Sequence, residues 1–157
     1  MNEKGFGIFS DFWDGFPYHL PLLNLHIDKN EINQGKLNKG LERLDLICFN
    51  KNQDLVINGI QELLSSENWR PHLVAILASF KLSVNKQKEL IPDFWNRLER
   101  DSWISPQILS VLSMIDHEFE SIGLEILKNG FQVTQSPMSG PEHYSTRGPE
   151  GKYGGIG

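Results

Sequence analysis

Apolar residues recur at helical spacing through the middle of the chain. From Leu37 onward they stand three or four positions apart, which places each group on one face of a helix. The predicted helices cover residues 36–49, 53–66, 70–81, 86–100 and 105–115. A sixth helix follows Asp116 and stops at Asn129-Gly130, and its predicted inward residues are Phe119, Ile122, Ile126 and Leu127. Pro92 falls inside the fourth, so this helix either begins near Ile91 or bends there, because an interior proline breaks helical hydrogen bonding. The pattern therefore predicts an all-α fold.

Two of these segments have the same pattern of proline and apolar positions. Pro71 and Pro106 lie 35 residues apart, and at that offset five apolar positions coincide. The coinciding pairs are Leu73 and Ile108, Val74 and Leu109, Ile76 and Val111, Leu77 and Leu112, and Phe80 and Ile115. Repeats of about 30–50 residues with helical patterning are typical of α-solenoids, in which each helix pair buries its apolar face against its neighbours. We therefore expect a short α-solenoid of five to six helices over residues 35–130.

The two ends of the chain have a different pattern. Six of the sixteen aromatic residues fall between Phe6 and Tyr18, interleaved with glycine and proline, which disfavours a long helix. We expect residues 1–34 to form an irregular aromatic cap over the open end of the stack, although an exposed cluster of this kind would be a binding surface. Residues 131–157 are rich in glycine and proline, and we expect a flexible or loosely draped tail there.

Composition narrows the class of protein. The chain has 157 residues and a formal net charge of −5. This balance disfavours nucleic acid as a partner, because phosphate binding draws on clustered Lys and Arg. No apolar run approaches the roughly 18–20 residues of a membrane helix, and the first residues do not have the pattern of a secretory signal. We therefore expect a cytoplasmic protein without a membrane partner.

Catalytic and metal-binding patterns are not found in the sequence. The five histidines do not form a His-x-x-x-His pair, and Cys48 is the only cysteine, so neither a cysteine-based zinc site nor an internal disulfide is expected. Cys48 lies in an apolar stretch and is interpreted as a small buried residue rather than a nucleophile. There is no nucleophile elbow and no phosphate-binding glycine loop. We expect no cofactor, no metal and no enzymatic activity.

Residues 89–101 resemble the first helix of a HEAT repeat. They contain a Leu-x-Pro element at Leu90 to Pro92 and end in Asp101, and residues 105–115 look like the second helix. The earlier pair, 53–66 and 70–81, is similar, but its first helix has Ile57 or Asn58 in place of the proline and ends in residues 66–68 without the closing aspartate. Short HEAT-like chains of this kind are also similar to immunity proteins of bacterial toxin systems.

The resemblance implies a protein-binding module, an immunity-type inhibitor that occludes a toxin or another basic partner protein. The alternative is an α-helical enzyme or a nucleic-acid-processing HEAT-like protein. HEAT-like stacks expose the second helix of each pair on a concave side. The positions expected to face outward there are His72 with Gln107, Ala75 with Ser110, and Ala78 with Ser113.

A partner-binding surface is predicted from these positions and from the turns beside them. Asp116, Glu118 and Glu120 form an acidic run without a basic residue, which is either a solvated helix face or a docking surface for a basic partner. Asp116 is also a candidate cap for the last helix, and Ser105 for the one before it. The predicted partner-binding residues are Arg70, His72, Asp101, Trp103, Gln107, Ser110, Asp116, Glu118 and Glu120.

Overall fold

The computed structural model describes residues 6–13, 22 and 31–131. A 3₁₀ helix, η1, covers Gly7–Phe12. The α-helices are α1 (Glu31–Phe49), α2 (Gln53–Ser65), α3 (Trp69–Ser79), α4 (Val84–Glu89), α5 (Ile91–Glu99), α6 (Ser105–Ile115) and α7 (Phe119–Asn129). No strand occurs among the described residues, so the predicted all-α class is confirmed for them. None of the described helices is both long and apolar enough to cross a membrane.

Short polar side chains and one glycine set the helix ends. The side chains of Asn52 and Asn68 accept hydrogen bonds from the backbone N–H groups of Asp54 and Arg70, at 2.9 Å and 3.0 Å. Each satisfies one of the donors that the first turn of a helix leaves without a partner. After α7 the chain turns at Gly130, whose φ of 72° suits a residue without a side chain. The predicted stop at this glycine is therefore confirmed.

Helices α5 and α6 each begin one residue before a proline. The predicted helix 86–100 is two helices, because the chain turns at Leu90 and α5 begins at Ile91 with Pro92 in its first turn, where no N–H is needed. The predicted cap at Ser105 is wrong, since α6 begins at Ser105 itself. The Ser105 hydroxyl instead donates to the Ser102 carbonyl at 2.6 Å.

The middle helices pack in two pairs. Helix α2 packs against α3, and α5 packs against α6; α2 also contacts α5, and α3 contacts α6. Their facing sides form one continuous hydrophobic core. Its fully buried members include Val56, Ile60, Leu63, Ala75, Ala78, Leu90, Phe94, Ile108 and Leu112.

The described part of the aromatic N-terminal segment packs on α2. Phe9 and Phe12 in η1 are fully buried, and η1 contacts α2. A Cβ added at Gly59 would lie 2.8 Å from the Phe9 ring, so the close approach of η1 to α2 depends on a glycine at this position. Residues 1–5, 14–21 and 23–30 of the predicted cap, and the predicted tail beyond residue 131, lie outside the described residues, whereas residues 31–34 are helical and belong to α1.

Candidate functional site

Three of the positions predicted to face a partner are buried. His72, Ala75 and Ala78 have at most 1 % of their surface exposed, so the prediction of an open face on α3 is wrong. The reason is that α3 packs against both α2 and α6 and is covered on nearly every side. On α6, by contrast, Gln107, Ser110 and Ser113 are exposed as predicted.

His72 connects two turns instead of meeting a partner. Its Nε2 lies 2.9 Å from the Ser66 carbonyl oxygen and its Nδ1 lies 2.8 Å from the Ser102 hydroxyl. A carbonyl can only accept, so Nε2–H donates to Ser66, and Nδ1 accepts from Ser102. Burial lowers the pKa of His72 from 6.5 to about 4, against a smaller opposing effect of the Ser66 hydrogen bond. The buried ring is therefore neutral at physiological pH.

Because His72 is neutral in the folded protein, we expect the protein to lose stability in mild acid. The unfolded chain takes up a proton near pH 6.5, whereas the folded chain resists protonation until about pH 4, so the His72 contribution is complete above pH 6.5 and declines as the pH falls towards 4. Between pH 7.5 and pH 5 the free energy of unfolding should fall by about 2 kcal/mol on account of this group. Urea unfolding of the wild type and of His72→Gln at both pH values measures it. Parallel losses in the two proteins would contradict the assignment.

Arg97 anchors the same two turns from α5. It is 3 % exposed, and its Nη1 donates to the Ser66 carbonyl at 3.0 Å. Its Nη2 donates to the carbonyls of Arg100 and Asp101, at 2.6 Å and 2.7 Å. The Ser66 carbonyl therefore accepts from both His72 and Arg97, and the turn after α2 is tied to the turn after α5.

The turn after α5 presents Trp103 to solvent. Asp101 adopts a left-handed conformation with φ of 62°, which an aspartate tolerates better than most residues and which reverses the chain. On either side of Trp103, Ser102 is bonded to His72 and Ile104 is buried in the core. The indole itself is 88 % exposed. A large aromatic side chain is thus held in water on a turn that is fixed by internal hydrogen bonds.

An apolar groove of about 660 Å³ opens beside this turn. It is lined by residues of α5, α6 and α7, by the turn after α5, and by the residue that follows Gly130. The lining residues are Trp95, Leu98, Asp101, Ser105, Leu109, Phe119, Glu120, Gly123, Leu124, Ile126, Leu127 and Phe131. Leu124 and Leu127 are 57 % and 84 % exposed, so the prediction that Leu127 points inward is wrong. Helix α7 has no fully buried residue and leaves much of its apolar face open to this groove.

Asp116 positions Trp95, one of the groove-lining residues, and does not face a partner. Its side chain is buried; Oδ2 accepts from the Trp95 indole at 2.8 Å and Oδ1 accepts from the Glu118 backbone N–H at 2.9 Å. The Trp95 ring stacks on Phe119, with 5.9 Å between the ring centroids. Helix α7 begins at Phe119 with Glu118 at the N-cap position and no side-chain cap, so the predicted cap at Asp116 is wrong, and Oδ1 of Asp116 instead closes the turn before α7. Its predicted exposure in a docking surface is also wrong, because both carboxylate oxygens are engaged within the fold.

The remaining predicted residues fall into two sets. Asp101 and Glu120 line the groove, and Trp103 follows directly on the same turn. Arg70 is exposed beside the Trp69 ring, at 5.5 Å from its centroid, and Glu118 is exposed at the start of α7.

The sequence did not predict a role for Arg97 or for the groove residues Leu109, Gly123 and Leu124. A glycine inside a predicted helix was the signal that could have pointed to the groove.

The titratable groups of the described residues do not form a metal-binding cluster. Within ranges 6–13 and 31–131, no group of three His, Cys, Asp or Glu side chains is placed to hold a metal ion. Cys48 is buried, and burial together with the nearby Asp45 carboxylate raises the pKa of its thiol to about 11. A thiol with this pKa stays protonated and is a poor nucleophile. The interpretation of Cys48 as a buried core residue is confirmed.

Comparison with known proteins does not assign the site. No protein-family model matches the chain, and neither a curated protein nor a solved structure matches it. The geometry of the groove and of the Trp103 turn therefore carries the functional argument.

Proposed function

We infer that this protein is a non-enzymatic protein-binding module that acts as an immunity-type inhibitor and occludes a toxin or another basic partner protein. The observation that carries the proposal is Trp103, which is 88 % exposed on a turn fixed by Arg97 and His72. Tryptophan is among the residues most enriched in binding hot spots. A rigid turn lowers the entropy lost when the indole is buried by a partner.

The groove beside Trp103 extends the same surface. Apolar patches that stay exposed on a folded protein commonly mark interaction sites. The charged side chains among the groove-lining residues, Asp101 and Glu120, are both acidic. An acidic rim favours a basic partner protein and disfavours a nucleic-acid backbone. It supports the inhibitor hypothesis over the nucleic-acid-processing alternative.

The proposal includes a HEAT-like repeat architecture with an aromatic cap. In support, α2 and α3 form one packed pair and α5 and α6 form another, and each helix of the first pair contacts its counterpart in the second. Packing of each helix pair against its neighbour is what a solenoid requires. The burial of Phe9 and Phe12 against α2 supports a cap at the first pair. The arrangement leaves α7 at the other end as the helix that meets a partner.

The proposed function predicts that Trp103 dominates binding to the native partner. The tagged protein is used to recover the partner, and affinity is measured by calorimetry. Trp103→Ala should weaken binding at least 30-fold, which corresponds to the roughly 2 kcal/mol of a hot-spot residue.

Phe49→Ala is the matched control for this experiment. Phe49 is an aromatic residue of comparable exposure, 84 %, at the end of α1, and its loss should leave the affinity within about twofold. Equal effects of the two variants, or failure to recover any protein partner, would count against the proposed function.

A further inference from the structure

The groove contains a glycine that no contact within the described fold requires. Gly123 lies in the middle of α7 and lines the groove, and a Cβ added there would have no heavy atom within 4 Å. A glycine in a helix interior destabilises the helix relative to alanine. Packing against the rest of the described chain does not explain its presence. A glycine facing an open groove does, however, let another backbone come close to the helix.

The groove selects for helical ligands by its construction. Strand addition needs a free sheet edge, and the described residues contain no strand. Proline-rich ligands use aromatic grooves, but here the Trp95 indole N–H is already bonded to Asp116 and cannot meet a ligand carbonyl. What remains is an apolar channel between helices, with Leu109 on α6 facing it from one side and Leu124 on α7 from the other.

Charge and length define the ligand further. Asp101 and Glu120 are the charged residues on the groove lining, and neither has an ion pair with a basic side chain in the described structure. Helix α7, which lines the groove from Phe119 to Leu127, has 11 residues and is therefore about 16 Å long, or three helical turns. Lys or Arg beside the apolar face of a ligand helix could pair with the two carboxylates at the rim.

We propose that this groove binds a single amphipathic α-helix of a partner protein, with leucine-like residues against Leu109, Leu124 and Gly123 and basic residues opposite Asp101 and Glu120. This inference rests on the proposed function, whose partner it describes. Gly123 is the point at which the two helices approach most closely. Glycine at this position lowers the stability of α7 in the free protein but allows close contact with the ligand helix in the complex.

The experiment uses designed peptides and fluorescence anisotropy with the full chain. The probe is a labelled peptide of roughly 18 residues, five helical turns, with leucines at spacings of three and four and lysines elsewhere. One control peptide has the same composition with leucine and lysine alternating, and another has glutamate in place of lysine. The helical basic peptide should bind at least tenfold more tightly than either control. Equal binding of the helical and alternating peptides would overturn the proposal.

Two pairs of variants locate the binding. Asp101→Asn with Glu120→Gln should weaken binding at least fivefold, whereas Glu42→Gln with Glu125→Gln, the same change in charge at exposed positions off the groove lining, should change it by less than twofold. Gly123→Ala should raise the melting temperature by about 2–4 °C and yet weaken binding. Gly35→Ala is its control, because Gly35 also lies in a helix with open space around it, and there only the stability should rise.

Other occupants are outcomes of the same experiment. Dimerisation that Gly123→Ala abolishes, or displacement of the probe by a peptide copying residues 132–157, would assign the groove to this chain and overturn the proposal. If the probe binds as expected but no partner depends on Trp103, the proposed function fails while the helix-binding groove stands. If a partner depends on Trp103 but is indifferent to Gly123→Ala, the groove proposal fails while the function stands.

Discussion

Replacement of Arg97 by methionine should lower the free energy of unfolding by about 3–5 kcal/mol, because several hydrogen bonds from one charged donor are lost together and each contributes roughly 1.5–3 kcal/mol. The guanidinium donates to backbone carbonyls in the turns after α2 and α5. Methionine fills much of the same space but donates nothing, so the carbonyls of Arg100 and Asp101 lose their hydrogen bonds to Arg97, and the Ser66 carbonyl keeps only its bond to His72. Urea or guanidinium unfolding measures the difference.

Arg100→Met is the matched control for Arg97→Met. Arg100 makes an exposed ion pair with Glu67 at 2.9 Å, and exposed pairs of this kind contribute about 0–1 kcal/mol. Arg97→Met should therefore lower the free energy of unfolding much more than Arg100→Met, although the two positions are only three residues apart. Hydrogen exchange of the turn 100–104 should also accelerate in Arg97→Met alone, because the Arg97 contacts hold this turn. Equal stability of the two variants would mean that Trp103 does not depend on Arg97 for its position.

Helix periodicity predicted most of the fold because burial on one face leaves a clear spacing in the sequence. Leu44 and Cys48 are buried as the period of α1 predicts, and the prediction that a helix begins near Ile91 is correct. The period failed at α3, where Ala75 and Ala78 are as deeply buried as the predicted inward residues. Small residues on an apolar helix indicate close packing as readily as an open face, and a helix enclosed on several sides has no polar stripe to reveal it.

The candidate site was predictable only in part, because it depends on contacts between distant turns. Trp103 and Asp101 were identified from their position at a turn, and both lie at the groove or beside it. The burial of His72 depends on Ser66 and Ser102, which the sequence does not place near it. The role of Arg97 was equally hidden, since an arginine on an amphipathic helix resembles any solvated residue until its backbone partners are known. Leu124 and Leu127 fit a buried helical stripe, but no described helix covers them.

The repeat in the sequence predicts that Leu77 and Leu112 are equally buried, and the structure shows that they are not. Leu112→Ala should lower the free energy of unfolding by about 2–5 kcal/mol, because Leu112 is fully buried and truncation leaves a cavity. Leu77 is only partly buried. Leu77→Ala should therefore lower the free energy of unfolding by less, since part of the Leu77 side chain is already in contact with water. Leu109→Ala serves as the control on α6, for Leu109 is 39 % exposed at the groove and should lose about 1 kcal/mol or less. Chemical denaturation of the three variants ranks them. Leu109→Ala matching Leu112→Ala would place Leu109 in the core and remove the groove on which helix binding depends.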